Sequence, residues 1–166
     1  MFWGTMAMNN KPKAEIIQPP STLRDRVSVR NDEDVDFSAA NNAIDDLAEE
    51  FVQRLPGEFK RIETAYAALQ AMPDDESRRT VLFRLIHDLK GQAGTFDYQL
   101  ITVIGNDLCR FIERPIEMSP RCLKVAGFYI DAMKRVAEKR MTGDGDEHGI
   151  RMIDTLHSMT QKVLQE

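Results

Sequence analysis

From Ile44 onward the apolar residues of this chain return every three or four positions. Ile44, Leu47, Phe51, Leu55, Phe59, Ile62, Tyr66 and Leu69 keep one phase across Pro56, the period of one face of an α-helix. Proline removes a backbone donor and crowds the preceding turn. The run is therefore expected to be one long, kinked helix, or two helices meeting at Pro56-Gly57. After the capped turn "AMPDDES" a second stripe follows in Leu82, Leu85, Ile86, Leu89, Ala93 and Phe96.

Ile101, Ile104, Leu108, Phe111 and Ile112 mark a third helix that Pro115 and "EMSP" end. Leu123, Ala126, Ile130, Met133 and Ala137 mark a fourth, closed by "TGDGDEHG". Ile150, Ile153, Leu156, Thr160 and Val163 mark a fifth. No segment alternates with period two and no hairpin dipeptide sits between β-rich runs. An all-α fold follows. Short connections favour antiparallel neighbours, hence an up-and-down four-helix bundle with an additional helix or a kinked long first helix.

Residues 1–35 hold Pro12, Pro19 and Pro20 and no sustained periodicity, which predicts a poorly ordered arm ahead of a helical domain at 36–166. "RNDEDVD" places acids where the positive end of a helix dipole favours them, with Asp36 or Ser38 as candidate N-cap.

Composition narrows the function classes. A length of 166 residues suits one domain with a core and an arm, and 42% hydrophobic with 30% charged residues is ordinary for a folded globular chain. A net charge of -5 argues against a nucleic-acid binder, whose affinity would rest on clustered Lys and Arg, and favours protein partners. No run nears the ~20 apolar residues that span a bilayer, and "MFWGTMAM" lacks the basic lead and cleavage pattern of a signal peptide. Cys109 and Cys122 have no metal-ligand spacing and read as buried thiols of a reducing compartment, with the cytoplasm as the expected location.

The second helix carries the candidate chemistry. At about 100° per residue, His87 falls opposite the Leu82, Leu85, Leu89, Ala93 and Phe96 stripe and should face solvent. Gly91 and Gly94 lie one and two turns along the same outer strip, with Phe83 and Lys90 flanking it. Glycine inside a helix costs on the order of 1 kcal/mol relative to alanine, so a purely structural helix has no use for two of them there. Beside an exposed imidazole they open a platform where a partner backbone or a phosphoryl group can approach. Lys90 offers three donors to phosphoryl oxygens, and Phe83 an apolar contact for docking.

His87, Leu89, Lys90 and Gly91 match the H-x-L-K-G core of histidine-containing phosphotransfer (HPt) domains, and "HDLKGQAGTF" resembles a bacterial subgroup of that family. Ala93 and Gly94 also fall where the family keeps small side chains. Resemblance in spacing and helix order runs from about residue 36 to the end, while the specific motif is this one helix. One position departs from the pattern: many members have glycine ten residues after the histidine, where this chain has Asp97, an acid at the negative end of a helix dipole.

The resemblance implies a phosphorelay intermediate in a two-component system. His87 would take a phosphoryl group from the aspartyl phosphate of a response-regulator receiver domain and pass it to another receiver. A hybrid histidine kinase is a further candidate partner. Lys90 would supply charge, Gly91 and Gly94 access, and Phe83 docking surface. An ordinary imidazole is largely neutral at pH 7 and needs no special activation as a nucleophile. No cofactor of its own is expected, the Mg²⁺ belonging to the receiver.

The chain has no Gly-rich phosphate loop or Walker pattern, so the expectation is a phosphocarrier without ATP-dependent kinase activity. A bundle with one interaction face is expected to be a monomer. The competing class is an adaptor bundle that binds receiver or kinase domains without transferring phosphate. A metal centre is not expected: Asp154 and His157 form no Glu-x-x-His pair, and in the "DGDEHG" segment the position of a calcium loop's bidentate Glu is Thr155.

Overall fold

The structure is a computed structural model that describes residues 38–165, all of whose regular elements are helices. They are α1 (Ser38–Ala71), α2 (Glu76–Thr95), α3 (Gln99–Ile112), α4 (Pro120–Glu138) and α5 (Asp146–Leu164). The all-α expectation holds among the described residues. The 1–35 arm and the candidate cap Asp36 lie outside them, and Ser38 is the first residue of α1.

Of the two readings of Pro56, the single helix is the one found: α1 runs unbroken for 34 residues with Pro56 inside it. At 1.5 Å per residue that is about 51 Å. The buried face is Phe51, Leu55, Phe59, Ile62, Ala65 and Leu69. The first two residues of the stripe depart from expectation, since Ile44 and Leu47 are 60% and 53% exposed. They stand on the N-terminal turns of a helix far longer than its neighbours.

α2 begins where Asp75 accepts hydrogen bonds from the amides of Ser77 (2.9 Å) and Arg78 (3.3 Å), satisfying donors that the helix start leaves free. Arg78 also donates to the Ala68 carbonyl at 2.8 Å, tying the end of α1 to the start of α2. At the other end the Tyr98 amide donates back to the Ala93 carbonyl (2.9 Å) while Asp97 takes a left-handed φ of 62°. Both Ala93 and Tyr98 are buried. This is the six-to-one closure of a Schellman end with its apolar pair. The position where many HPt domains carry glycine is thus one that demands a glycine-like backbone, and Asp, more tolerant of that region than most residues, adopts it.

α3 is buried along most of its length, through Leu100, Ile101, Ile104, Leu108, Phe111 and Ile112. α4 starts with Pro120 behind Ser119, whose hydroxyl accepts from the Cys122 amide (3.2 Å). Arg79 of α2 donates to the Ile116 carbonyl at 3.0 Å, holding the α3–α4 connection. α1 packs on α2 and α4, α3 packs on the same two, and α5 packs on α4 and touches α3. Of α5 only Gly149 and Leu156 are buried. Ile150, expected inside, is 59% exposed. Polar contacts help hold this helix: Tyr129 Oη to Thr160 Oγ1 (2.9 Å) and His157 Nε2 to Asp107 Oδ2 (2.7 Å).

Among the described residues no helix is long and apolar enough to cross a membrane.

Candidate functional site

Leu82, Ile86, Leu89 and Ala93 are the buried residues of α2, and they turn His87 outward, as its phase predicts. Its side chain is 55% exposed. Phe83, one turn before it, stacks on the imidazole with ring centroids 5.7 Å apart and planes inclined by 30°. Phe83 is half-buried against the core, so the stack fixes one side of the imidazole to the body of the protein and leaves the other to solvent. Nδ1 faces Asp88 Oδ1 at 3.9 Å, too long for a direct hydrogen bond.

Lys90 lies one turn beyond His87 on the same helix. It is not the free surface cation that its sequence position predicts. Its side chain is half-buried, and Nζ donates to Asn106 Oδ1 of α3 at 2.9 Å. The neighbouring α3 residues hold the rest of it. Thr102 Oγ1 donates to the Lys90 carbonyl at 3.0 Å, and a methyl group placed on Gly105 would meet Lys90 Cβ at 3.0 Å.

The two glycines differ. A Cβ built on Gly91 meets nothing within 4 Å, so this position is open as expected. One built on Gly94 would press on Thr102 Oγ1 at 3.2 Å. Gly94 therefore faces α3 and serves helix approach, which corrects the expectation that both glycines belong to the open platform. Its phase on α2 is right; what sequence phase leaves out is where the neighbouring helix passes.

Beside Phe83 an open cleft of about 470 Å³ runs between α2 and the end of α3, lined by Arg79, Thr80, Ile112, Glu113 and Arg114 among others. Arg79 Nε is buried there without a hydrogen-bond partner, and Glu76 Oε2 stands 3.7 Å away. In α3, burial pushes the Cys109 thiol up to about 11, with the Lys90 charge opposing that rise. Cys109 and Cys122 are both free and buried. Among the described residues no group of three or more His, Cys, Asp or Glu side chains is placed to hold a metal ion.

Sequence reasoning named His87, Lys90, Phe83, Gly91 and Gly94, and all five lie on or beside this surface of α2. It missed Asn106 and Thr102, whose only signal is their position in α3 beside small Gly105, and it missed Arg79. No family model matches the chain, and no curated protein or solved structure matches it either.

Proposed function

We propose that this chain is a histidine phosphotransfer intermediate of a two-component phosphorelay, and that α1–α4 form the antiparallel up-and-down four-helix bundle of an HPt domain, with α5 as the additional helix. The observation that carries the reading is the exposed His87 ring, backed on one side by Phe83, with open Gly91 one turn along and Lys90 three residues on, its ammonium held by Asn106. That arrangement suits a group that takes on a bulky dianion from a partner protein.

The transfer is a substitution at phosphorus. In the tautomer with its proton on Nδ1, the Nε2 lone pair is available for attack on a receiver's aspartyl phosphate. The N–P bond forms as the acyl P–O bond breaks, and the aspartate carboxylate leaves with the bonding electrons. Loss of the Nδ1 proton to solvent yields a phosphoimidazole with a neutral ring and an anionic phosphoryl group. Nδ1 then takes a proton back from solvent, the second receiver's aspartate attacks the same phosphorus, and the N–P bond breaks with its electrons returning to Nε2, so that neutral imidazole leaves. Phosphoryl transfer asks mainly for positioning and charge neutralisation, which Lys90 and Gly91 serve on this side. The Mg²⁺ and the aspartate come with the receiver. The chain acts as a phosphocarrier, not an ATP-dependent kinase.

The test is to incubate the protein with a receiver domain charged by acetyl phosphate and freed of excess donor, then locate the label by mass spectrometry. Acid-labile phosphate on His87, absent from His87→Gln, is the expected result. A receiver that binds but never transfers would replace the relay with the adaptor.

A further inference from the structure

Three residues of α3 meet three different parts of one α2 residue, its backbone carbonyl and both ends of its side chain. Thr102 takes the Lys90 carbonyl, Gly105 lets the Lys90 Cβ come close, and Asn106 takes the ammonium. Positions 102, 105 and 106 follow i, i+3, i+4, so they form one stripe of α3. A lysine on a helix surface ordinarily has four rotatable bonds and a well-hydrated head. Here the stem is clamped at both ends. The contact is also not a neutralising one: Asn106 offers an amide oxygen, so the ammonium is oriented while its full charge is kept. With one N–H used by Asn106, two remain for an incoming ligand.

We infer that Asn106 is a positioning residue for the phosphoryl group on His87, acting through Lys90: through a neutral amide oxygen it holds in a fixed place the ammonium of the residue one turn beyond His87. The inference rests on the relay reading. It also explains why α3 keeps glycine at 105 within an otherwise large, buried apolar face. A side chain there would push Lys90 off the stripe and out of reach of Asn106. Gly94 and Thr102 bring α2 and α3 close enough for the clamp to exist.

The experiment uses the full chain with Asn106→Ala, Lys90→Ala and the double variant, each checked for wild-type helicity. Two readouts are taken. The first is the rate at which Lys90 is acetylated by acetic anhydride, followed by mass spectrometry against exposed Lys60. It requires no partner. Release from Asn106 is expected to raise Lys90 acetylation severalfold, and an unchanged rate would overturn the inference at its structural root. The second is transfer from a charged receiver, measured as saturating rate and as half-saturating receiver concentration.

For Asn106→Ala the saturating rate is expected to fall about tenfold, as for other small misplacements of a reacting geometry, with half-saturation unchanged. The double variant should be no slower than Lys90→Ala, because a residue acting only through Lys90 has nothing left to lose. Independent, multiplying losses would show that Asn106 has a merely structural role and would overturn the proposal. So would an Asn106→Ala protein transferring as fast as wild type. If the wild type itself accepts nothing from charged receivers, the relay reading and this inference fall together, whatever the acetylation rates.

Discussion

Phe83 and His87 lie one turn apart on α2 with their ring centroids 5.7 Å apart, so the imidazole is held by an aromatic wall that is itself seated on the core. The stack limits which way the ring can turn. Replacing Phe83 with alanine should leave the fold intact, because the side chain is only half-buried, at a stability cost of about 1–2 kcal/mol, below the range for a fully buried Phe. Acceptance of phosphate from a receiver should fall by about tenfold, since orientation is much of what the site supplies. Stopped-flow or quench labelling of the variant beside urea denaturation separates the two effects.

The two glycines of α2 should respond in opposite directions. Gly91→Ala adds a methyl to open space, so helix propensity alone acts and stability should rise by up to about 1 kcal/mol, while transfer falls severalfold as the platform narrows. Gly94→Ala forces Thr102 to move, which disturbs its bond to the Lys90 carbonyl and should cancel or reverse that gain. Urea midpoints of the two variants, measured together, check the assignment.

How much of this was legible beforehand follows from what each residue depends on. The buried faces of α2, α3 and α4 depend on helical period alone, and Leu82, Ile104 and Met133 are inside as their phase predicts. Ile44, Leu47 and Ile150 have the same phase but stand where no described helix covers them, and period cannot tell where a neighbour stops. His87 was legible because it is opposite a strong stripe. Lys90 and Gly94 were only half legible: their place on α2 was readable, but the clamp by Asn106 and the approach of Thr102 arise from α3 passing close by, which no local pattern encodes. Pro56 was ambiguous for a related reason, since packing on both sides decides whether a proline bends a helix or ends it.

Asp97 occupies a left-handed backbone position at φ 62°. Asp97→Gly should stabilise the protein by about 1 kcal/mol, because glycine enters that region without strain. Asp97→Val should destabilise it by more, a branched side chain being poorly tolerated there. Thermal unfolding of the pair is the check, and a glycine variant less stable than wild type would contradict this account of the helix end.

Alkaline pH should weaken the fold. Burial raises the Cys109 thiol from 9.0 to about 11 and lifts Tyr66, Tyr98 and Tyr129 above 10.0. Each of these groups holds its proton more tightly folded than unfolded, so its contribution is complete below the unfolded value and is lost as pH rises toward the folded one. Stability should therefore be level up to about pH 9 and fall above it, with Cys109 accounting for about 1–2 kcal/mol by pH 11. Cys109→Ala should flatten the first part of that fall. Urea midpoints from pH 7 to 11 test it, and a midpoint that rose above pH 9 would contradict the sign.

The most direct measurement of the central claim is a complete relay. A first receiver is charged with acetyl phosphate and desalted, then mixed with this protein and with a second, uncharged receiver of distinguishable size, and phosphate is followed on all three by phosphate-affinity electrophoresis. The account predicts that label leaves the first receiver, passes through an acid-labile state on this chain, and accumulates on the second, and that His87→Gln stops it at the first. Label reaching the second receiver equally well with His87→Gln, or never entering the wild-type chain while both receivers bind it, would contradict the account.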